Sequence, residues 1–389
     1  MLSAKTLHAI ENSDPNDITG GGQASLRNLY RKIITLSGIY YYISQPVVVI
    51  LVIIATVGVI LFFLIVGYIP IKLMLILVFV GGASIFYMAK SLFTRAKVED
   101  PGRVLTEAEA PELWSLVLQV ATAVNTRAVD EIRITEATDL AVYERGGWRI
   151  KMQDKAERVL ILGVANLNGF KQSAFTAVLA HEYGHFSNRD TAGGDVAFRV
   201  NTDMMRLAEA IVMSGTNTIY NVAFHFIRVY HFLFRRITHG ATRLQETLAD
   251  RVAAHNYGVK AFQEGLTHVV RRGIEFNYLA LKEVNSSRAA GRGFNSLYDL
   301  TVDDESSAKD IETQFAGALN RKTTDDDTHP SPNDRFKLIE KVISNANVDS
   351  DRIVWDLFAD RQALTDEMNK KLEGHFYGTK YASANDIIT

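Results

Sequence analysis

The sequence predicts a mainly helical α+β fold with a small sheet, attached to an N-terminal transmembrane helical hairpin. Two apolar runs, 46–71 and 73–89, contain no charged residue. Most of the remaining chain has apolar residues at helical spacing, whereas the run 158–164 is typical of a strand. These patterns divide the 389 residues into a membrane part near the N-terminus and a larger domain.

The apolar runs have the properties of a membrane anchor. The first is long enough to cross a hydrocarbon core of about 30 Å as a helix. The second follows a very short turn at 67–70, so the two are expected to form a hairpin over 46–90. A polar stretch, 1–45, precedes them, which argues against a cleaved signal peptide. The positive-inside rule predicts that both ends of the hairpin face the cytoplasm, because basic residues flank it on both sides. These residues are Arg27, Arg31 and Lys32 before the hairpin, and Lys90, Arg95 and Lys97 at its end.

Further segments have weaker signals. Within 1–45, an amphipathic helix is expected from Ala24 toward Tyr42, along the membrane surface. A second apolar region, 207–234, contains His225 and His231, which are costly in lipid. We therefore expect an interfacial or cleft-lining hairpin there, with both histidines on its polar face rather than acting as metal ligands.

The main domain is expected to span 91–345. It contains an insertion, 285–327, that is rich in Ser, Gly, Arg and Asp and is interpreted as loops or a mobile flap. Residues 346–389 are expected to add a short helix around 355–372 and a polar tail.

Composition limits the function. A net charge of −2 offers no broad basic face, so a nucleic-acid partner is not expected. The chain has no Cys, which excludes disulfides and thiolate zinc sites and leaves His and carboxylate as the usual zinc ligands.

The pentapeptide HEYGH places His181, Glu182 and His185 in an HExxH pattern. Residues four apart lie on the same face of a helix, so both imidazoles can bind one zinc ion. Glu182 would be close enough to take a proton from a zinc-bound water without being an obvious ligand. An apolar stripe precedes the motif, with Gln172 or Ser173 as the first helical residue. The motif therefore predicts a zinc hydrolase site on a buried helix.

Such a site needs a third protein ligand and an open fourth position. Thr191 lies ten positions after His181, where a metzincin has its third His, so that class is excluded. Glu246 is the best candidate because Asp250, four residues later, could accept a hydrogen bond from a ligating imidazole. Glu209 is the rival ligand, without an acidic partner at this spacing. From the residues alone, Glu246 is equally well interpreted as a solvated charge on a helix.

Residues 328–335, THPSPNDR, form a Pro-punctuated loop that enters a helix near Asp334. His329 and Arg335 could face the metal together and stabilise the oxyanion that develops on an attacked carbonyl. Alone, a His before a Pro in a loop is more often a surface residue.

The order HEYGH, ETLAD, THPSPNDR resembles the HtpX-like and CAAX prenyl endopeptidase family of membrane-bound gluzincins. The resemblance covers roughly 100–345, including Asn188-Arg189-Asp190 after the first motif. It implies a zincin-like metalloprotease domain with one Zn²⁺ per chain. Residues 138–142 read TDLAV where the family often has an Asn-Ala pair, so the upstream substrate groove is expected to differ.

The resemblance also implies roles for particular residues. The zinc ligands would be His181, His185 and Glu246, and Glu182 would be the general base. His329 and Arg335 would donate to the oxyanion. Asp250 and Asp190 would be outer supporting carboxylates. These roles imply a zinc endopeptidase that acts on membrane-associated or misfolded proteins in quality control. Its expected location is the bacterial inner membrane, with the catalytic domain in the cytoplasm.

The predicted endopeptidase function suggests a substrate, partners and two alternative functions. An extended polypeptide substrate could pair with the strand at 158–164. The lipid bilayer is an expected partner, and a second copy or another membrane protein is left open. One alternative is a CAAX prenyl-protein protease, disfavoured because only two clear spans are present. Another is a non-enzymatic zinc-binding membrane scaffold, which would have no chemical need for Glu182.

Overall fold

Helices dominate the structure and a small mixed sheet accompanies them, so the predicted mainly helical α+β class is confirmed. The computed structural model describes residues 10, 12–67, 70–93, 100–146, 150, 153, 155–187, 191–213, 215, 217, 219, 222–324, 327, 329–344, 350 and 352–378. The helices are α1 (Ala24–Val66), α2 (Ile71–Phe93), α3 (Pro111–Ala123), α4 (Gln172–Ser187), α5 (Thr191–Met213), α6 (Val222–Tyr257), α7 (Val259–Ala289), α8 (Glu305–Asn320), α9 (Pro332–Ile339) and α10 (Arg361–Gly378). The strands are β1 (Arg103–Val104), β2 (Glu131–Thr135), β3 (Leu140–Arg145) and β4 (Glu157–Gly163).

The chain divides into two compact units. The first unit holds residues 1–7, 24–99 and 193–242, and the second holds 8–23, 100–192 and 243–389. The first unit is helical, with α1, α2, most of α5 and the first part of α6. The second unit contains the sheet and most of the described residues proposed above for the metal site, namely His181, Glu182, His185, Glu246, Asp250, His329 and Arg335.

Helix α1 is a single element of 43 residues that passes through Pro46. The expected boundary between an amphipathic surface helix and a separate membrane helix is therefore wrong. A proline inside a helix removes one backbone hydrogen bond and can kink the helix without ending it. The segment before Pro46 contributes buried residues to the same helix, among them Tyr30, Ile34 and Tyr41.

Among the described residues, one helix, Ala24–Val66, is long and apolar enough to cross a membrane, and the apolar part of α2 is shorter, Ile71–Ala83. This is weak evidence for membrane anchoring. Helices α1 and α2 approach closely, because a Cβ atom at Gly81 would lie 2.6 Å from Oγ1 of Thr56. Gly67 has a φ of 73°, a left-handed conformation suited to glycine at the turn. Tyr68, Ile69, Arg95 and Lys97 lie outside the described residues.

The apolar region 207–234 contributes to the core of the first unit. Leu207, Ile211 and Ile227 form one buried cluster with Val48 and Val52 of α1. A second cluster joins residues of the same three helices, Tyr41, Val200, Met204, Tyr230 and Phe234. The region is therefore divided between α5 and α6 and packs against α1.

The sheet has the strand order β1-β2-β4-β3. β4 pairs with β2 in parallel, with Ile132 opposite Leu160, and with β3 antiparallel, with Val142 opposite Leu160. This explains the continuous apolar run of β4, which is buried between neighbouring strands. The expectation that a substrate pairs with β4 is wrong, because strands already occupy both of its edges. β3 is the last strand in the order and has an edge that no described strand covers.

Helix α4, which carries HEYGH, begins at Gln172 as the sequence predicts. It lies in the core of the second unit, where Phe175, Leu179 and Tyr183 are almost fully buried. Helix α7 packs tightly against it at Gly265, where a Cβ atom would lie 2.6 Å from the carbonyl oxygen of Ala174. A larger residue at this position would force the two helices apart.

The segment 285–327 is not a loop or flap throughout, contrary to expectation. It includes the end of α7 and the whole of α8, whose N-cap Asp304 accepts a hydrogen bond from the Ser307 amide. Lys282 binds Asp304 at 2.6 Å, and Tyr278 donates to Asp310 at 2.8 Å, so α8 is attached to α7 along its length. Most of the surface of α8 is exposed and therefore polar, which is why the composition of this segment was interpreted as that of loops.

The C-terminal segment forms a short 3₁₀ turn, Val354–Leu357, and then α10. Helix α10 buries Leu364, Met368, Leu372 and Phe376, so the predicted short helix is present but extends to Gly378. The predicted tail, 379–389, lies outside the described residues.

Arg103 of β1 links α10 to the sheet. Its guanidinium binds Glu367 at 2.6 Å and Glu109 at 2.7 Å. The hydrogen bond from Arg103 lowers the pKa of Glu109 to about 2. A depressed carboxyl pKa contributes stability above the pKa of the unfolded chain, and this contribution disappears as pH falls through the folded value.

Replacement of Arg103 by Met should therefore reduce the loss of stability between about pH 5 and pH 2. Because the pair is partly exposed, we expect a difference on the order of 1 kcal/mol at neutral pH. Tryptophan fluorescence during urea unfolding at several pH values measures it, since Trp114 and Trp355 belong to the second unit. Arg288→Met, at an exposed position of α7, serves as the charge-matched control. Equal pH slopes for Arg103→Met and wild type would contradict the prediction.

Candidate metal centre

The metal-binding candidates converge from two helices of the second unit. His181 and His185 lie one turn apart on α4, and their ring centroids are 4.9 Å apart. Glu246 comes from α6, as does Asp250 one turn later. Ligand atoms of His181, His185 and Glu246 all lie within 4.8 Å of one another, the geometry of a group that could hold a metal ion. His181 and Glu246 are buried, whereas His185 is partly exposed, which leaves one side of the cluster open.

The close approach of α4 and α6 depends on Gly184. A Cβ atom there would lie 2.9 Å from Cα and 3.2 Å from Cβ of Ala249. Both residues lie inside the motifs, Gly184 between the two histidines and Ala249 between Glu246 and Asp250. Small residues at this contact let the facing side chains reach one another.

The arrangement fits a zinc ion. Nε2 of His181 lies 3.5 Å and Nε2 of His185 lies 3.6 Å from oxygens of Glu246. Tetrahedral zinc with ligand bonds of about 2.0–2.1 Å places its ligands about 3.3 Å apart, close to these separations. Oε2 of Glu246 is buried and makes no hydrogen bond. A buried carboxylate oxygen without such a bond is costly, and a bound cation would satisfy it.

Asp250 organises the buried side of the centre. It is fully buried and accepts from Nδ1 of His181 at 2.8 Å. Arg335 of α9 donates to both of its carboxylate oxygens, at 2.9 and 2.5 Å. Because Nδ1 of His181 is occupied by Asp250, Nε2 is left to face Glu246. The outer supporting role predicted for Asp250 therefore has a direct geometric basis.

The charges of the site shift its pKa values. Burial acts to raise the pKa of Glu246, but Arg335 and a hydrogen bond from His329 hold it well below its ordinary value. Burial lowers the pKa of His185 to about 4, so this imidazole is neutral at neutral pH. Burial also opposes protonation of His181, yet the bond to Asp250 raises its pKa overall. A deprotonated carboxylate and a neutral imidazole are the forms that bind metal.

Glu182 lies beside this cluster and not within it. Burial raises its pKa to about 7, and the backbone N–H of Val142 donates to its carboxylate. A carboxyl group with a pKa near neutrality can both take and return a proton. The contact also places Glu182 next to β3, the strand with an uncovered edge.

The loop before α9 brings in His329 and Arg335. Nδ1 of His329 lies 3.0 Å from Oε1 of Glu246, and its side chain is 58% exposed. Arg335 is buried, and Nη2 lies 3.4 Å from Oε2 of Glu246. Helix α9 begins at Pro332, capped by Ser331, slightly before the predicted start near Asp334.

Other sequence-predicted residues do not join the cluster. Among the described residues, Glu209 is an exposed residue of α5 in the first unit, and neither it nor His225 and His231 belongs to the metal group. Asp190 lies outside the described residues, so its predicted role stays a prediction.

Sequence reasoning missed Val142 and Phe262. The ring of Phe262, on α7, lies 5.6 Å from that of His181 and 5.6 Å from the Arg335 guanidinium. The position of each depends on packing between segments far apart in the chain. An alternating strand pattern at 140–145 was the available signal for Val142, and the sequence contains no comparable signal for Phe262.

Comparison with known proteins gives one match. No curated protein sequence and no solved structure matches the chain significantly. The model of peptidase family M48 matches residues 155–343, a segment that contains HEYGH, Glu246 with Asp250, and THPSPNDR. Members of this family are zinc metalloproteases, in agreement with the His, His and Glu cluster. Residues 155–343 are therefore similar to peptidase family M48.

Proposed function

We propose that this protein is a membrane-anchored zinc endopeptidase of the HtpX-like type, acting on membrane-associated or misfolded polypeptides. The observation that carries the proposal is the juxtaposition of Glu182 with the cluster of His181, His185 and Glu246. A metal site alone suits a scaffold equally well. Water activation explains a partly buried carboxyl group whose pKa is raised to about 7 beside that site.

His181, His185 and Glu246 would hold the zinc ion, with Asp250 fixing the orientation of His181. When bound, zinc supplies Lewis-acid chemistry that activates water and polarises a peptide carbonyl. Because His185 is partly exposed, the open side of the cluster leaves room for the water and the peptide carbonyl.

Glu182 then acts as the proton carrier. Its carboxylate takes a proton from the attacking water and returns it to the nitrogen of the departing amine. The hydrogen bond from Val142 fixes one part of the carboxylate, and the burial that raises its pKa keeps proton return feasible at neutral pH.

His329 and Arg335 have different parts in this proposal. His329 is exposed, and its hydrogen bond to Glu246 raises its pKa, so in its protonated form this side chain would donate to the oxygen of the attacked carbonyl. Arg335 donates two hydrogen bonds to Asp250, so its main part is to position Asp250 and, through it, His181.

The uncovered edge of β3 is the proposed pairing surface for an extended substrate. Val142, whose N–H reaches Glu182, lies in the middle of this strand, so a paired peptide would lie next to the proton carrier. Main-chain pairing gives affinity with little dependence on sequence, which suits damaged proteins as substrates. Helix α1, the described helix able to span a membrane, would keep the enzyme at the bilayer.

Three predictions test the metal centre, and the first concerns Glu182→Gln. The amide keeps the size of the side chain but cannot carry the proton, so cleavage of unfolded casein should fall by about 10²–10⁴-fold while one zinc stays bound. Peptide release and zinc content are measured on the same full-length preparation. If wild type binds one zinc and cuts casein no faster than this variant, the protease proposal fails.

The second prediction concerns Glu246→Ala. Removal of the only carboxylate in the described metal cluster should abolish stoichiometric zinc binding, measured by metal analysis after dialysis. Glu209→Ala, which changes the rival candidate on α5, should retain one zinc per chain. Full retention by Glu246→Ala would reassign the third ligand.

The third prediction tests the approach of α4 and α6. Gly184→Val puts a side chain within 2.9 Å of the Ala249 backbone, so the helices must separate and zinc affinity should fall by about 10–100-fold. Competition with a chelator measures the affinity. Gly317→Val is the matched control, because a Cβ atom there meets nothing within 4 Å. Similar losses in both variants would mean that helix propensity, not helix contact, is responsible.

A further inference from the structure

A second cavity in the second unit has a lining unlike that of the metal centre. It has a volume of about 400 Å³ and lies between α7, the turn at 168–169 and the segment 300–302. Its polar lining includes Asn168, His268, Arg271, Arg272 and Thr301. None of these residues belongs to the metal cluster or takes part in the proposed reaction. A volume of this size accommodates a small organic molecule rather than a single inorganic ion.

The two neighbouring arginines supply its positive charge. Arg271 binds Glu312 at 3.0 Å, but this pair is exposed, with 38% and 60% of the two side chains accessible. An exposed ion pair contributes little free energy, so Arg271 can exchange Glu312 for a ligand at small cost. The guanidinium also lies 4.0 Å from the ring centroid of Phe315, which holds it beside the cavity.

Arg272 is buried and incompletely neutralised. Its Nε donates to the carbonyl oxygen of Ala165 at 2.9 Å, and its nearest carboxylate, Glu275, is 3.5 Å away. Burial, together with the charge of Arg361, lowers the pKa of Arg272 despite Glu275. A buried cation in this condition is stabilised by a further anion.

The remaining lining is suited to an organic group. Leu279, Leu300 and Val302 form an apolar part of the wall, opposite in character to the arginines. His268 is held by the carbonyl oxygen of Asn166 at 2.9 Å, and burial lowers its pKa, so it adds no charge at neutral pH. Glu275 also lines the cavity and would repel a dianion more strongly than a monoanion.

We propose that this cavity binds a monocarboxylate attached to an apolar group, such as the C-terminal residues of a peptide or a free branched carboxylic acid. The carboxylate binds Arg271 and Arg272, and the apolar group contacts Leu279, Leu300 and Val302. Asn168 and Thr301 are available for an amide or a water next to the carboxylate. Arginine is well matched to a carboxylate, because two of its N–H groups can donate in parallel.

This inference does not depend on the proposed peptidase activity, since the cavity shares no residue with the metal centre. Both sites nevertheless use α7, which carries Phe262 beside His181 and Arg271 and Arg272 at the cavity. Binding is therefore tested directly, without an activity assay.

The experiment is calorimetric titration of the full-length protein in detergent. Three probes distinguish the chemistry: N-acetyl-Leu-Leu as free acid, the same compound as C-terminal amide, and 4-methylpentanoate. We expect the free acid to bind at least about tenfold more tightly than the amide, because the amide loses charge-assisted hydrogen bonds. Whichever carboxylate binds better identifies the peptide or the free acid as the source. A site that binds inorganic phosphate about tenfold more tightly than both carboxylates would overturn the proposal.

Variants locate the binding. Arg271→Gln removes one charge at a partly exposed position, and Val302→Glu adds a repelling charge at an exposed lining position. Each change should weaken binding of the free acid by at least about tenfold. Lys260→Gln removes one charge from the exposed start of the same helix and should leave binding unchanged. The proposal is wrong if neither acid binds, if acid and amide bind equally, or if the two cavity variants bind like wild type.

Discussion

The second unit depends on a fully buried carboxylate, Asp250, and on the hydrogen bonds that Arg335 and His181 donate to it. Two hydrogen bonds from Arg335 and one from His181 satisfy a charge that would otherwise be very costly away from water. This requirement joins three separate segments, because His181 belongs to α4, Asp250 to α6 and Arg335 to α9. The same bonds orient His181 toward Glu246, so the stability of the core and the geometry of the metal centre have a common cause.

Packing supplies the second constraint. Two glycines allow helices to approach α4 from different sides, Gly184 toward Ala249 of α6 and Gly265 of α7 toward Ala174. Such contacts leave no space for one added methyl group, so α4 and its neighbours pack at the closest distance that their backbones allow. A metal site made from two helices needs this precision, because ligand separations follow directly from helix separation.

Burial also divides the chemistry among the acidic groups. Glu246 and Asp250 are surrounded by cations and stay ionised, whereas burial raises the pKa of Glu182 to about 7. Carboxyl groups within one small region thus have the pKa shifts that the proposed ligand, support and proton carrier require. Arg271 and Arg272 illustrate the opposite case, since positive charge at the second cavity is only partly matched by nearby carboxylates.

The sequence by itself determined the helical class and the HExxH motif, and it identified Glu246 with Asp250 as a candidate pair, because helical spacing of four places ligands and supports on one face. Contacts between segments far apart in the chain could be identified only from the tertiary structure. The edge of β3 that no described strand covers depends on strand order, and β4 lies between two strands, which made its predicted pairing with substrate wrong. Similarly, α8 lies in a segment read as loops, and α1 continues through Pro46, since local composition does not record which neighbour a segment packs against.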